Sequence, residues 1–95
     1  TLEEINKVGE LFKIIGDTTR LKIIFSLLES EKNVNEIALA TSSSQSLVSH
    51  QLKILKDNFI VDSRKNGNFV TYFLNDEHIN TLITICRIHI NEQGE

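Results

Sequence analysis

The sequence predicts a mainly α fold with one β-hairpin, in the order α-α-α-α-β-β-α. Three observations predict it. Apolar residues recur at helical spacing from Ile5 to Leu55. The pattern then becomes strand-like in "FIVDSRK" and "NFVTYFL", with Asn66-Gly67 between the two runs. Helical spacing returns in "DEHINTLITICRIHINE", Asp76 to Glu92.

Ile5, Val8, Phe12 and Ile15 lie on one face of a first helix, and Gly16 stops it. Asp17 is a good N-cap for a second helix, with Leu21, Ile24 and Leu28 on one face. A short third helix, from about Asn33 to Ala40, buries Val34, Ile37 and Ala38. "TSSSQ" is a polar turn, and Ser44 caps a fourth helix that runs to about Lys56. Val48, Leu52 and Leu55 form its apolar side. Asn-Gly between β-rich runs predicts a type I′ hairpin, in which both central residues take positive φ. The last helix starts near Asn75 or Asp76. His78, Leu82, Ile85, His89 and Glu92 are spaced four, three, four and three, a seam for lengthwise packing on another helix. Ile79, Ile83, Cys86 and Ile90 run beside it, so one side can meet the core while the seam meets a partner. Cys86 reads as a small buried hydrophobe.

Third helix, turn and fourth helix make a helix-turn-helix, and a hairpin directly after it is a wing. The expected organisation is a single winged helix-turn-helix domain over residues 1–95, with dimerisation helices at both ends. At 95 residues, burial against a second copy helps stability. The chain shows no signal peptide and no apolar run long enough for a membrane, so no membrane partner is expected and a cytoplasmic location is the default. It begins without methionine, as a trimmed chain does. One cysteine excludes an internal disulfide framework and a Cys-rich metal cluster.

The net charge of −3 argues against nucleic-acid binding, but the charge is uneven. Between Ser42 and Lys65 the bases Lys53, Lys56, Arg64 and Lys65 face only the acids Asp57 and Asp62. The fourth helix carries Ser44, Gln45, Ser46, Ser49 and His50 near its start. Such short polar side chains at a helix N-terminus approach base edges and phosphates closely, and Gln can pair with adenine. Lys53 and Lys56 suit phosphate. The hairpin tip offers Arg64, Lys65, Asn66 and Asn68 to the backbone or minor groove. A solvated helix face and a surface turn are the plainer alternatives for each part taken alone. The combination points to double-stranded operator DNA.

The last helix carries Asp76 and His78 at one end and His89 and Glu92 at the other. Eleven residues from His78 to His89 span ~16 Å of helix, too far for one ion. An antiparallel copy of the same helix places the start of one beside the end of the other. Two nitrogens and two oxygens then meet at each of two symmetric sites per dimer. Asp76 also suits a helix cap, the histidines also suit an interface, and Glu92 also suits solvent. Four protein ligands in aliphatic surroundings leave no open position for a zinc hydrolase, so neither enzyme activity nor a small organic substrate is expected.

These residues resemble the ArsR/SmtB family of metal-responsive winged-helix repressors over essentially the whole chain. "SSQSLVSHQLKILK" is similar to the family's recognition helix, and "DEHINTLITICRIHINE" to the sensing site of its C-terminal helix. The resemblance implies a repressor whose metal-free dimer binds its operator. Zn(II), or Co(II) as alternative, at Asp76, His78, His89 and Glu92 then releases the DNA and derepresses metal-efflux genes. It also implies that the non-ligating N–H of His89 reaches a backbone carbonyl near Phe59. The chain departs from the family where many members have Cys-x-Cys: "EKNVNE" puts Asn33 and Asn35 there, which argues against soft metals. No histidine follows His89 to complete a six-coordinate nickel site. A repressor without metal control, or controlled by another ligand, is the alternative.

Overall fold

In the computed structural model, which describes residues 1–93, local caps set where the helices begin. Helix α1 spans Leu2–Ile15, and the Thr1 hydroxyl accepts from the Glu4 N–H. It stops at Gly16, where an added Cβ would stand 2.8 Å from the Phe12 carbonyl oxygen. Helix α2, Thr18–Glu29, starts on Asp17, whose carboxylate accepts from the Arg20 N–H at 3.1 Å. Helix α3, Val34–Thr41, opens with a reciprocal capping box between Asn33 and Glu36. Helix α4, Gln45–Asp57, starts on Ser44, which accepts from the Leu47 N–H at 3.1 Å.

Both helices of the helix-turn-helix end on a left-handed residue. Ser42 has φ 54° and Phe59 has φ 61°. After α4 the Ile60 N–H donates to the Leu55 carbonyl and the Phe59 N–H to that of Lys56, at 3.0 and 3.1 Å. This is a Schellman closure, in which glycine is the usual left-handed residue. Ser42 and Ser43 close α3 in the same way, onto Leu39 and Ala38.

Strand β1, Val61–Asn66, pairs antiparallel with β2, Phe69–Leu74, from Val61↔Leu74 to Asn66↔Phe69. The turn corrects the type I′ expectation. Asn66 is still paired, so Gly67 and Asn68 are the central residues. Gly67 has φ 63°, and Asn68 is not among the residues with positive φ. That is the type II′ sign pattern, which needs glycine only at its first central position. Lys32 adds a one-residue bridge to Tyr72, with N–H···O bonds of 3.1 and 2.8 Å, and joins the hairpin to the α2–α3 connection. The Lys32 ammonium also caps the end of α2, donating to the Ser26 carbonyl and to the Ser30 hydroxyl.

The core lies between α2, α3 and α4: Ile23, Ile24, Ile37, Val48, Leu52 and Leu55 are almost wholly buried. Ile60 and Val61 extend it under the hairpin. Helix α5, Glu77–Gln93, adds Ile79 and Ile83 from one face, as its periodicity predicts. The first helix departs from expectation. Of its predicted face only Ile15 reaches the core, beside half-buried Leu11 and Ile14. Ile5, Val8 and Phe12 form a second stripe, with Leu2, that faces solvent. Cys86 departs too: it is exposed. It lies along an apolar groove of about 350 Å³ with Phe12, Phe25, Leu82 and Ile90. Among the described residues no helix is long and apolar enough to cross a membrane.

Candidate functional site

Helix α4 has one buried and one open side. Val48, Leu52 and Leu55 fill the core, which leaves Gln45, Ser46, Ser49, His50, Lys53 and Lys56 exposed on the same helix. Its N-terminal end is therefore presented to solvent as a polar surface. Ser44 is engaged as the cap. Gln45 donates to the Asn35 side chain at 2.9 Å, so α3 holds it. Lys53 lies 3.3 Å from Asp57, an exposed pair of little worth that phosphate can displace. Behind the surface, Arg20 donates to Gln51 at 2.8 Å and to the Ile14 carbonyl at 3.3 Å, which braces α4 against α1 and α2.

The hairpin sorts its predicted contacts by face. Successive side chains of a strand point to opposite sides. Lys56 donates to the Ser63 hydroxyl at 2.7 Å, so the Ser63 and Lys65 side of β1 is turned toward α4. Arg64 belongs to the other side. There its guanidinium makes a two-pronged pair with Glu31, one arm at 3.1 Å, and lies 5.2 Å from the centre of the Phe73 ring. The hydrogen bond from Arg64 holds the Glu31 carboxyl below its ordinary range against the opposing effect of burial, with the charge of Arg64 adding less. The same pair raises the Arg64 guanidinium. Lys65, Asn66 and Asn68 are exposed near the tip.

The metal-type residues fall into two separate pairs. At the start of α5 the Asp76 Oδ1 accepts from the His78 backbone N–H at 2.9 Å and stands 3.5 Å from His78 Nδ1. One carboxylate oxygen thus caps the helix, while the other has no hydrogen-bond partner among the described residues. His89 and Glu92 lie three residues apart on α5, one turn of helix, and both are exposed. The single chain does not bring the pairs together, and no group of three or more metal-type side chains occurs among its described residues. Each end nonetheless fits half of a four-coordinate site: one imidazole and one carboxylate, both open to solvent.

Sequence reasoning missed two supporting residues. Asn35, taken only as a substitute for a cysteine, orients Gln45. Glu31 lies 33 residues from Arg64, and only the fold makes them neighbours.

Three comparisons place the chain among known proteins. Residues 17–63 match the family model described as bacterial regulatory protein, arsR family. A CadC homolog from Staphylococcus aureus, a cadmium resistance transcriptional regulatory protein, is 40% identical over 86 residues, covering 90% of this chain and 71% of that protein. A transcriptional repressor SmtB homolog from Synechocystis is 34% identical, covering 97% of this chain and 70% of its own length. Among solved structures, the homodimeric winged helix-turn-helix DNA-binding domain of a possible ArsR-family regulator from Mycobacterium bovis superposes with a TM-score of 0.88. It is 25% identical and covers 97% of this chain and 85% of that one.

Proposed function

Because the chain belongs to the arsR family of bacterial regulatory proteins, we propose that it is a metal-sensing transcriptional repressor that releases DNA when zinc binds. One observation carries this reading: a solvent-facing α4 surface with its wing occurs together with a nitrogen–oxygen ligand pair at each end of α5. Ser46, Ser49 and His50 read base edges, with Gln45 held toward them by Asn35. Lys53, Lys56 and Lys65 meet phosphate, and Asn66 and Asn68 follow the minor groove. Two copies on a pseudo-palindromic operator supply the two reading heads.

Asp76 and His78 of one chain and His89 and Glu92 of the second hold the ion, at two sites per dimer. Zinc, with cobalt(II) as its close mimic, supplies there a cross-link between two helices. The cross-linked dimer is the one whose reading heads fit the half-sites less well. The coupling is reciprocal, so operator DNA weakens zinc binding by the same factor. The family resemblance implies that His89 reports to the reading helix through a backbone carbonyl near Phe59, the left-handed residue that closes α4.

Fluorescence anisotropy of operator DNA, with chelator-stripped protein and then with zinc, tests the reading. Zinc lowers the affinity of wild type by on the order of 10-fold or more, a coupling of about 1–3 kcal/mol. His89→Ala binds DNA as before and loses that response. If His89→Ala still releases DNA on zinc addition, the ligand assignment is wrong. The second reading, a repressor without metal control, draws on the Asp76 cap. It expects no zinc response in wild type.

A further inference from the structure

The Glu31–Arg64 pair lies on the side of the hairpin away from α4, and the reading surface proposed above does not use it. We propose that Arg64 is a positioning residue: it anchors the wing to Glu31 and sets its angle rather than touching DNA. The inference rests on the reading of the wing as a DNA contact.

Several observations carry it. Arg64 engages both oxygens of one carboxylate, a planar fork-to-fork match that lysine cannot make. Its other surface lies over the Phe73 ring across the hairpin, so the guanidinium is fixed on two sides. Glu31 stands beside Lys32, whose backbone bridges Tyr72 on the hairpin's second strand. The connection between α2 and α3 therefore grips the wing twice, by a backbone pairing at β2 and by an ion pair at β1. Strand alternation assigns the neighbouring Lys65 to the α4 side, where the Lys56–Ser63 bond already ties wing to reading helix. A two-stranded hairpin is marginal alone, so such grips decide where its tip stands. Glu31 takes two of the five guanidinium N–H donors, and a phosphate on the others would stand beside that carboxylate's charge.

The test is operator binding by metal-free protein across a salt series, with Arg64→Ala, Glu31→Ala, the exchanged pair E31R/R64E, and Lys65→Ala. Arg64→Ala and Glu31→Ala are each expected to weaken binding by about threefold, the scale of a well-made exposed pair. The salt slope should stay at the wild-type value, because no phosphate contact is lost. The exchanged pair should recover most of the affinity. Lys65→Ala should lower the slope by about 1.8, because the dimer loses one phosphate contact per subunit at about 0.9 each. Amide exchange in the wing without DNA should speed up in both single variants and slow again in the exchanged pair.

Three results overturn the proposal. A slope reduced by about 1.8 in Arg64→Ala, one contact per subunit, makes Arg64 a phosphate contact. Tighter binding by Glu31→Ala makes Glu31 a competitor for it. Unchanged wing exchange in both single variants leaves nothing anchored. A separate failure is recognisable: if Lys65→Ala and Ser49→Ala both bind like wild type, the DNA-reading surface is misplaced and the anchor falls with it.

Discussion

At the residue scale, several assignments depend on which atoms are already engaged. Ser44, Gln45 and Arg64 all read as DNA contacts in the sequence, yet each has a protein partner: the Leu47 N–H, Asn35 and Glu31. Ser44 was legible as a cap because caps are local. The Glu31 partnership was not, because its 33-residue separation is closed only by the tertiary fold. This pair carries a pH prediction. Hydrogen bonding to Arg64 lowers the Glu31 carboxyl below its ordinary 4.5, so the pair is fully made above that value. Its contribution is lost only as pH falls through the lowered one. A carboxyl NMR titration should give Glu31 a midpoint below 4.5, and Arg64→Ala should move it back toward 4.5. A wild-type midpoint at or above 4.5 would contradict the two-pronged pair.

At the scale of elements, the helix starts were readable because each N-cap is a single polar side chain. The ends of α3 and α4 were harder, since neither stops on glycine. Backbone bonds onto Ala38, Leu39, Leu55 and Lys56 hold Ser42 and Phe59 left-handed in spite of their side chains. The two apolar stripes of α1 were merged for a related reason. Three-four spacing identifies an amphipathic helix but not which of two adjacent stripes meets the core. The strain at Ser42 is measurable. A left-handed L-residue costs about 1–2 kcal/mol, and glycine returns about 0.5–1 kcal/mol of this through its freer unfolded chain. Ser42→Gly should therefore raise unfolding stability by about 0.5–1 kcal/mol in urea melts. A loss of stability would show that Ser42 is held by more than its backbone.

At the scale of the whole molecule, the single chain leaves apolar surface open. Its radius of gyration is 14.2 Å, against about 12–13 Å for a compact chain of this length. Helices α1 and α5 each give only a few residues to the core. Leu2, Ile5, Val8 and Phe12 on α1 are 45–73% exposed, and Ile85, Ile88 and Ile90 on α5 are 54–65% exposed. Phe12 of α1 and Cys86 and Ile90 of α5 line one groove. Isolated exposed apolar residues are ordinary, but several on each of two terminal helices that share an apolar groove mark an association surface. Dimerisation helices are expected at both ends from the sequence, and the structure adds which side of α1 is turned outward. Phe12 is a sharp probe, because at 57% exposure it contributes little to the fold of one chain. Phe12→Glu should keep its helical circular dichroism and its cooperative unfolding. In sedimentation velocity it should run as a monomer at concentrations where wild type is a dimer. With one reading head per particle, operator affinity should fall by on the order of 100-fold. A Phe12→Glu protein that stays dimeric would move the interface off α1. The proposed meeting of Asp76 and His78 with His89 and Glu92 of a second chain would then rest on the α5 seam alone.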